Sequence, residues 1–154
     1  MDPSKSGVKL ALVDKNAGRR LRWINVFRDH FCVVIVPFGK DPVRIVRDQG
    51  VAVLIVVETT SNRDSVRIVR GAKTERRPAL VGVVNFENRG ISRAEAEDAG
   101  ADGYISGSPS IEEVLNWVAQ IRAGVRPIIE AEPDTMRGLR TKAKQALGLS
   151  WPND

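Results

Sequence analysis

Val51-Ala52-Val53-Leu54-Ile55-Val56-Val57 is an unbroken apolar run, rich in β-branched residues and preceded by Gly50. A run this short and this continuous describes a strand buried on both faces, since a strand with one wet face would alternate. Strands of that kind belong to parallel sheets covered by helices on both sides. Residues 31–36 and 79–84 have the same character, and runs at 8–13 and 103–105 complete a series of five, spaced by about 25 residues.

The intervals between the runs read as helices. The first is expected over 17–29, with Leu21, Ile24 and Phe27 as its apolar stripe. The second opens at Asp41-Pro42, a capping residue followed by proline at the first helical position, and stops at Gly50, which suits a left-handed cap. The third, over 64–71, offers Val66 and Val69 to the sheet. The fourth places Ser92 and Glu95 in capping-box spacing ahead of Ala96 and Ala99. The fifth starts near Ser110 and carries Val114, Val118 and Ile121 on one face until Gly124. Strands alternating with helices of these lengths imply right-handed crossovers and a doubly wound α/β sheet. The chain therefore divides into a (βα)5 domain over 1–124 and an extension over 125–154. In the extension, 125–133 reads as extended, and Met136, Leu139, Ala143 and Leu147 share one face of an extra C-terminal helix. That helix either packs on the domain or serves a partner; its small apolar face, without an aromatic residue, argues against a membrane.

The 154 residues match the length of one domain, and 42% hydrophobic with 28% charged residues is an ordinary globular balance. One cysteine, Cys32, supports no disulfide framework or multi-cysteine metal cluster. It reads as an inert buried thiol. One histidine, His30, reads as a solvated loop residue and leaves little for histidine-based chemistry. No apolar run approaches the roughly 20 residues of a bilayer span, and residues 1–7 have no signal-peptide character. A cytoplasmic protein is expected. The turn Asp14-Lys15-Asn16-Ala17-Gly18 carries no glycine-rich nucleotide fingerprint, and no nucleophile elbow is present. No catalytic residue, metal or cofactor is expected.

The net charge of +5 is unevenly spread. Residues 1–77 carry 16 Lys/Arg against 8 Asp/Glu, whereas 78–121 carry 2 against 7. Such a polarity suits steering of protein partners. Nucleic acid would need a continuous basic stripe on helices one to three, with salt-dependent affinity.

The stretch Gly100-Ala-Asp-Gly-Tyr-Ile-Ser-Gly-Ser-Pro-Ser-Ile-Glu-Glu-Val114 resembles the fifth strand and helix of response-regulator receiver domains, which read G-A-D-x-Y-[LIV]-x-K-P-[FL]-x-x-x-E-L. Leu10-Ala-Leu-Val-Asp14-Lys-Asn-Ala-Gly-Arg-Arg20 resembles their first strand, V-D-D-x-x-x-x-R. The resemblance covers roughly residues 8–123. It implies a five-stranded sheet of order 2-1-3-4-5 and a phosphoryl-transfer site. In that site an aspartate ends strand three, acids after strand one hold Mg²⁺, a hydroxyl ends strand four, and a lysine ends strand five.

Carried over position by position, the site is largely lost. Asp14 matches the first acid, but Lys15 stands at the second. An ungapped fit places Val57 at the acceptor, with Glu58 one step on and facing the other side of the sheet. The hydroxyl position falls on Val84 or Asn85, and Gly107 stands where the lysine belongs. A single carboxylate beside an ammonium does not make a magnesium site. The resemblance thus implies a degenerate pseudo-receiver. Lys15 either pairs with Asp14 or Glu58, in the space a cation would fill, or is solvated.

Tyr104 matches the family's switch aromatic; it either packs or joins Ser106 in a docking face. Trp23 and Trp117 either pack or serve an interface. Glu95, Glu97, Asp98, Asp102, Glu112 and Glu113 lie toward the docking side, opposite Lys40, Arg44 and Arg47 at the strand-two edge. The expected function is a phosphorylation-independent interaction module in bacterial-type signalling. Its helix-four, strand-five, helix-five face would bind another protein or a second copy. The alternatives are a nucleic-acid-associated regulator using the basic residues of helices one to three, and a small α/β enzyme.

Overall fold

A computed structural model describes residues 7–37 and 39–130. Its elements run β1 (Lys9–Asp14), α1 (Ala17–Phe27), β2 (Cys32–Ile35), α2 (Pro42–Gln49), β3 (Val53–Glu58) and α3 (Asn62–Lys73). They continue with β4 (Leu80–Phe86), α4 (Arg93–Ala99), β5 (Gly103–Gly107), α5 (Ile111–Arg122) and β6 (Ile128–Glu130). The extra helix expected beyond residue 133 lies outside the described residues. The local signals act where the sequence puts them. Asp41 caps α2 ahead of Pro42, Gly50 closes it with φ 65°, and Ser92–Glu95 and Ser110–Glu113 both form complete capping boxes.

The sheet is parallel throughout, in the order β2-β1-β3-β4-β5-β6. Helices α2, α3 and α4 bury Val46, Ile68, Val69, Ala72, Ala96 and Ala99 on one face, around Leu54, Val56 and Val81. On the other face α1 and α5 bury Trp23, Phe27, Val114, Trp117, Val118 and Ile121 around Val53, Ile55 and Ile105. Trp117 is fully buried over a floor of glycine. A Cβ on Gly82 would lie 2.6 Å from its ring, and one on Gly103 would lie 2.6 Å from Ile121. The two glycines let α5 approach the sheet closely enough to seat the indole, whose Nε1 donates to the Pro127 carbonyl at 3.3 Å. Both Trp23 and Trp117 therefore pack.

Five expectations change. The sheet has a sixth strand, so it continues past residue 124: Tyr104, Ile105 and Ser106 pair with Ile128, Ile129 and Glu130. Because α5 lies on the α1 face while β6 continues beyond β5, the β5–α5–β6 connection is left-handed, the rare sense that pattern reading excludes. The α1 stripe is also rotated: Trp23 and Phe27 are buried and Leu21 is 59% exposed. On α3, Val66 is only half-buried, and Ile68 and Val69 take the core positions. Finally, Cys32 is exposed, because β2 is the edge strand and its residues have neighbours on one side only. His30 is exposed, as expected.

Candidate functional site

The C-terminal ends of β1 and β3 gather charged groups. Asp14, the last residue of β1, has a side chain fully shielded from solvent. Its Oδ1 accepts the Asn16 N–H at 3.0 Å, and Asn16 in turn caps α1, accepting the Arg19 N–H at 2.9 Å. This double turn places Arg19 in the first turn of α1. Helical side chains lean toward the N-terminus, so Arg19 reaches back over the strand ends. Its Nε and Nη2 donate to Asp14 Oδ2 and Oδ1 at 2.6 and 2.7 Å, a bidentate fork, and Nη2 also donates to Glu58 Oε2. The guanidinium stands 4.8 Å from the centroid of the Phe86 ring at the end of β4. A cation in the first turn of a helix opposes the macrodipole. Two carboxylates and an aromatic face offset that penalty.

Glu58 reaches this cluster through an irregularity in the sheet. Val13 pairs with Val56, but Asp14 pairs with Glu58, so β3 bulges by one residue and Val57 is skipped. Val57 faces the α1–α5 core, and Glu58 stands opposite Asp14 rather than on the other side of the sheet, where the sequence pattern puts it. Lys15 donates its backbone N–H to the Glu58 carbonyl at 2.9 Å, and its Nζ stands 3.3 Å from Glu58 Oε1 while its side chain remains 47% exposed. Lys15 thus pairs without entering the cluster. The interior cation is Arg19, which the sequence reading missed. A signal was present: an arginine, not an acid, in the first turn after Asp14-x-Asn16.

The Arg19 hydrogen bond, with Lys15 adding to it and partial burial opposing it, holds the Glu58 carboxyl below its ordinary range. Hydrogen bonds to Asp14 first, and to Glu58, make Arg19 hold its proton more tightly than a free guanidinium, against the effect of burial. Because the folded-state value of Glu58 is depressed, its contribution to stability is complete above the unfolded value and is lost as pH falls through the folded one. Stability is therefore expected to decline below the ordinary glutamate value of about 4.3, and Glu58→Gln should flatten that acid limb when urea midpoints are followed against pH.

The remaining candidate positions lie apart from the charge cluster. Val84 packs in the α1–α5 core. Asn85 is buried, donates Nδ2 to the Tyr104 hydroxyl at 2.9 Å, and accepts the Gly90 N–H. Tyr104 donates its own hydroxyl to the Ile91 carbonyl at 3.2 Å and is 4% exposed. Gly107 has φ 84°, and its carbonyl accepts the Glu87 N–H at 2.9 Å.

Three residues expected on a docking surface are not presented there. Tyr104 is turned inward by Asn85 and Ile91, Ser106 is buried in β5, and Asp102 accepts Val81 N–H and Lys73 Nζ, each at 2.8 Å. Glu95 and Glu113 serve their capping boxes. Glu97 pairs with Arg93 and Asp98 with Arg70, both at the surface, and Glu112 is exposed.

No family model and no curated protein sequence matches this chain. Solved structures do. A LuxR-family two-component response regulator from Aurantimonas sp. SI85-9A1 superposes with a TM-score of 0.65 at 18% identity, over 90% of this chain and 99% of that one. A signal receiver domain from Bermanella marisrubri gives 0.64 at 19% identity, over 76% and 99%. The receiver domain of a Pseudomonas aeruginosa sensor histidine kinase, with a magnesium ion coordinated in its active-site cleft, gives 0.61 at 15% identity, over 74% and 99%. The chain has the CheY-like receiver fold of response regulators, with a sixth strand added to its sheet.

Proposed function

We propose that this chain is a pseudo-receiver: a receiver fold that signals by binding a protein partner, without phosphorylation. The observation that carries the reading is Arg19. Receiver chemistry needs a divalent cation on carboxylates and an acceptor with a free oxygen. Here the chain's own guanidinium occupies Asp14 and Glu58 together, and Lys15 takes the other oxygen of Glu58. Gly107 offers no cation at the end of β5. Tyr104 is held inward by Asn85 and Ile91 with no phosphoryl group required, and β5 is buried with β6 paired along it, which leaves α4 and α5 to present the exposed charges of this side. Glu97, Asp98 and Glu112 give that surface an acidic character suited to a basic protein face, on a partner or on a second copy. We place the protein in the cytoplasm and outside catalysis; no helix among the described residues is long and apolar enough to cross a membrane.

Incubation with acetyl phosphate and Mg²⁺, followed by intact-mass analysis, should give no phosphorylated species, and Mg²⁺ titration should give no millimolar affinity. An acid-stable, base-labile acyl phosphate would overturn the reading. Capture from the native cell should retain a partner on the wild type and lose it on Glu97→Lys/Asp98→Lys/Glu112→Lys. Loss on Arg44→Glu/Arg47→Glu alone would move the docking face to the opposite edge.

A further inference from the structure

Between the loops that follow β1, β2 and β3 lies an open cavity of about 370 Å³. It sits at the C-terminal ends of β1 and β3, where the strand order reverses, which is where doubly wound sheets accommodate ligands. The size is at the low end of the roughly 300–1,000 Å³ of small-molecule sites. Its lining is two-sided: Val36, Pro37 and Pro42 form an apolar side, of which Pro37 is the exposed part, and Lys15, Arg20 and Lys40 stand around it.

The acids facing the same space are already engaged. Asp14 and Glu58 hold Arg19, Asp64 accepts Arg67 and the Thr60 hydroxyl, and Asp41 caps α2 by accepting the Val43 N–H at 3.1 Å. Of the cations, Arg67 is taken by Asp64, whereas three others keep donors free. Lys40 is exposed and makes no ion pair among the described residues. Arg20 directs one N–H to the Asp14 carbonyl at 3.1 Å and leaves the rest of its guanidinium open. Lys15 makes one carboxylate contact and is half exposed. The unmatched capacity of the cavity is therefore cationic donors beside an apolar wall.

We propose that this cavity binds a small organic phosphate. Its phosphate meets Lys40, Arg20 and Lys15, and its flat apolar body lies on Val36, Pro37 and Pro42. With no glycine-rich loop in the chain, side-chain cations rather than backbone N–H groups hold the anion. Free phosphate leaves the wall uncovered, and an uncharged ring leaves the cations unmatched, so affinity requires both halves. Binding needs neither Mg²⁺ nor phosphoryl transfer and is independent of whether Glu58 is chemically silent.

The test is a Mg²⁺-free titration of the full ¹⁵N-labelled chain with phenyl phosphate, AMP, inorganic phosphate and adenosine, followed by amide shifts. Saturable shifts confined to residues 13–15, 36, 39–41 and 58–60 are expected with phenyl phosphate or AMP. Inorganic phosphate and adenosine should bind at least about tenfold more weakly, and Lys40→Gln should weaken the organic phosphate about tenfold. Arg44→Gln, outside the cavity, should bind as the wild type does. The proposal is overturned if neither organic phosphate saturates, if the shifts map elsewhere, or if inorganic phosphate binds as tightly, which marks an adventitious ion only. It is equally overturned if Lys40→Gln has no effect, or if Arg44→Gln loses as much, which would mean that overall charge drives binding.

Discussion

Replacing Arg19 with alanine is expected to cost the fold about 3 kcal/mol, lowering the melting temperature by about 10 °C. The loss comes less from the bonds removed than from what they leave behind: Asp14, wholly shielded from water, and Glu58 beside it with only Lys15. Glu58 is a quarter exposed, so water recovers part of its solvation, which holds the expected value at the low end of the ~3–5 kcal/mol range for a broken buried pair. Arg19→Lys should restore only part of it, because an ammonium cannot make the bidentate fork on Asp14. Lys15→Ala should cost below ~1 kcal/mol, as its pair is largely at the surface. Urea denaturation of the three variants separates these effects. The Arg19→Ala variant carries a second expectation. With the guanidinium gone, two carboxylates face one space, and weak Mg²⁺ affinity should appear in titrations where the wild type shows none. A variant that is as stable as the wild type and still metal-blind would show that Arg19 does not fill the place of a cation.

Trp117→Ala should cost about 3–5 kcal/mol, the range for deleting a fully buried aromatic side chain. The indole lies on Gly82 and Gly103 beside Ile121 and ties α5 to the sixth strand through Pro127, so its loss leaves a cavity that Ile121 alone is too small to fill. The urea midpoint should fall without change in the slope, as for a loss of stability within one cooperative unit. The glycine floor supplies an internal control. Gly82→Ala alone is expected to cost about 1–3 kcal/mol by forcing the ring away. In the Trp117→Ala background the added methyl meets only Ile121 Cδ1, 2.9 Å away, which can shift into the space the indole leaves, so the two changes should be non-additive. Additive costs would mean that the indole and the glycine are not in contact.

The architecture was legible from local pattern alone. Continuous Val/Ile runs marked two-faced strands, and Asp41-Pro42, Gly50, Ser92–Glu95 and Ser110–Glu113 fixed helix ends, because caps and turns are satisfied by residues three or four positions away. The sequence also placed Asp14 at a strand end and Gly107 where a lysine would stand. Tertiary structure alone decided the chemistry at those positions. Whether Val57 or Glu58 faces Asp14 depends on a one-residue bulge between strands nearly forty residues apart, and apolar periodicity continues unbroken through it. Arg19 looked like one basic residue among several in α1; only the convergence of β1, β3 and β4 gives it two carboxylates and the ring of Phe86. Tyr104 packs rather than docks because Asn85, on the neighbouring strand, holds its hydroxyl. Cys32 is open to solvent because its strand has a neighbour on one side only, and β6 joins the sheet through a left-handed crossover that no local pattern encodes. Periodicity records which face of an element is buried, whereas the partner of a charge is set by distance in space, and residues remote in sequence meet only once the chain has folded.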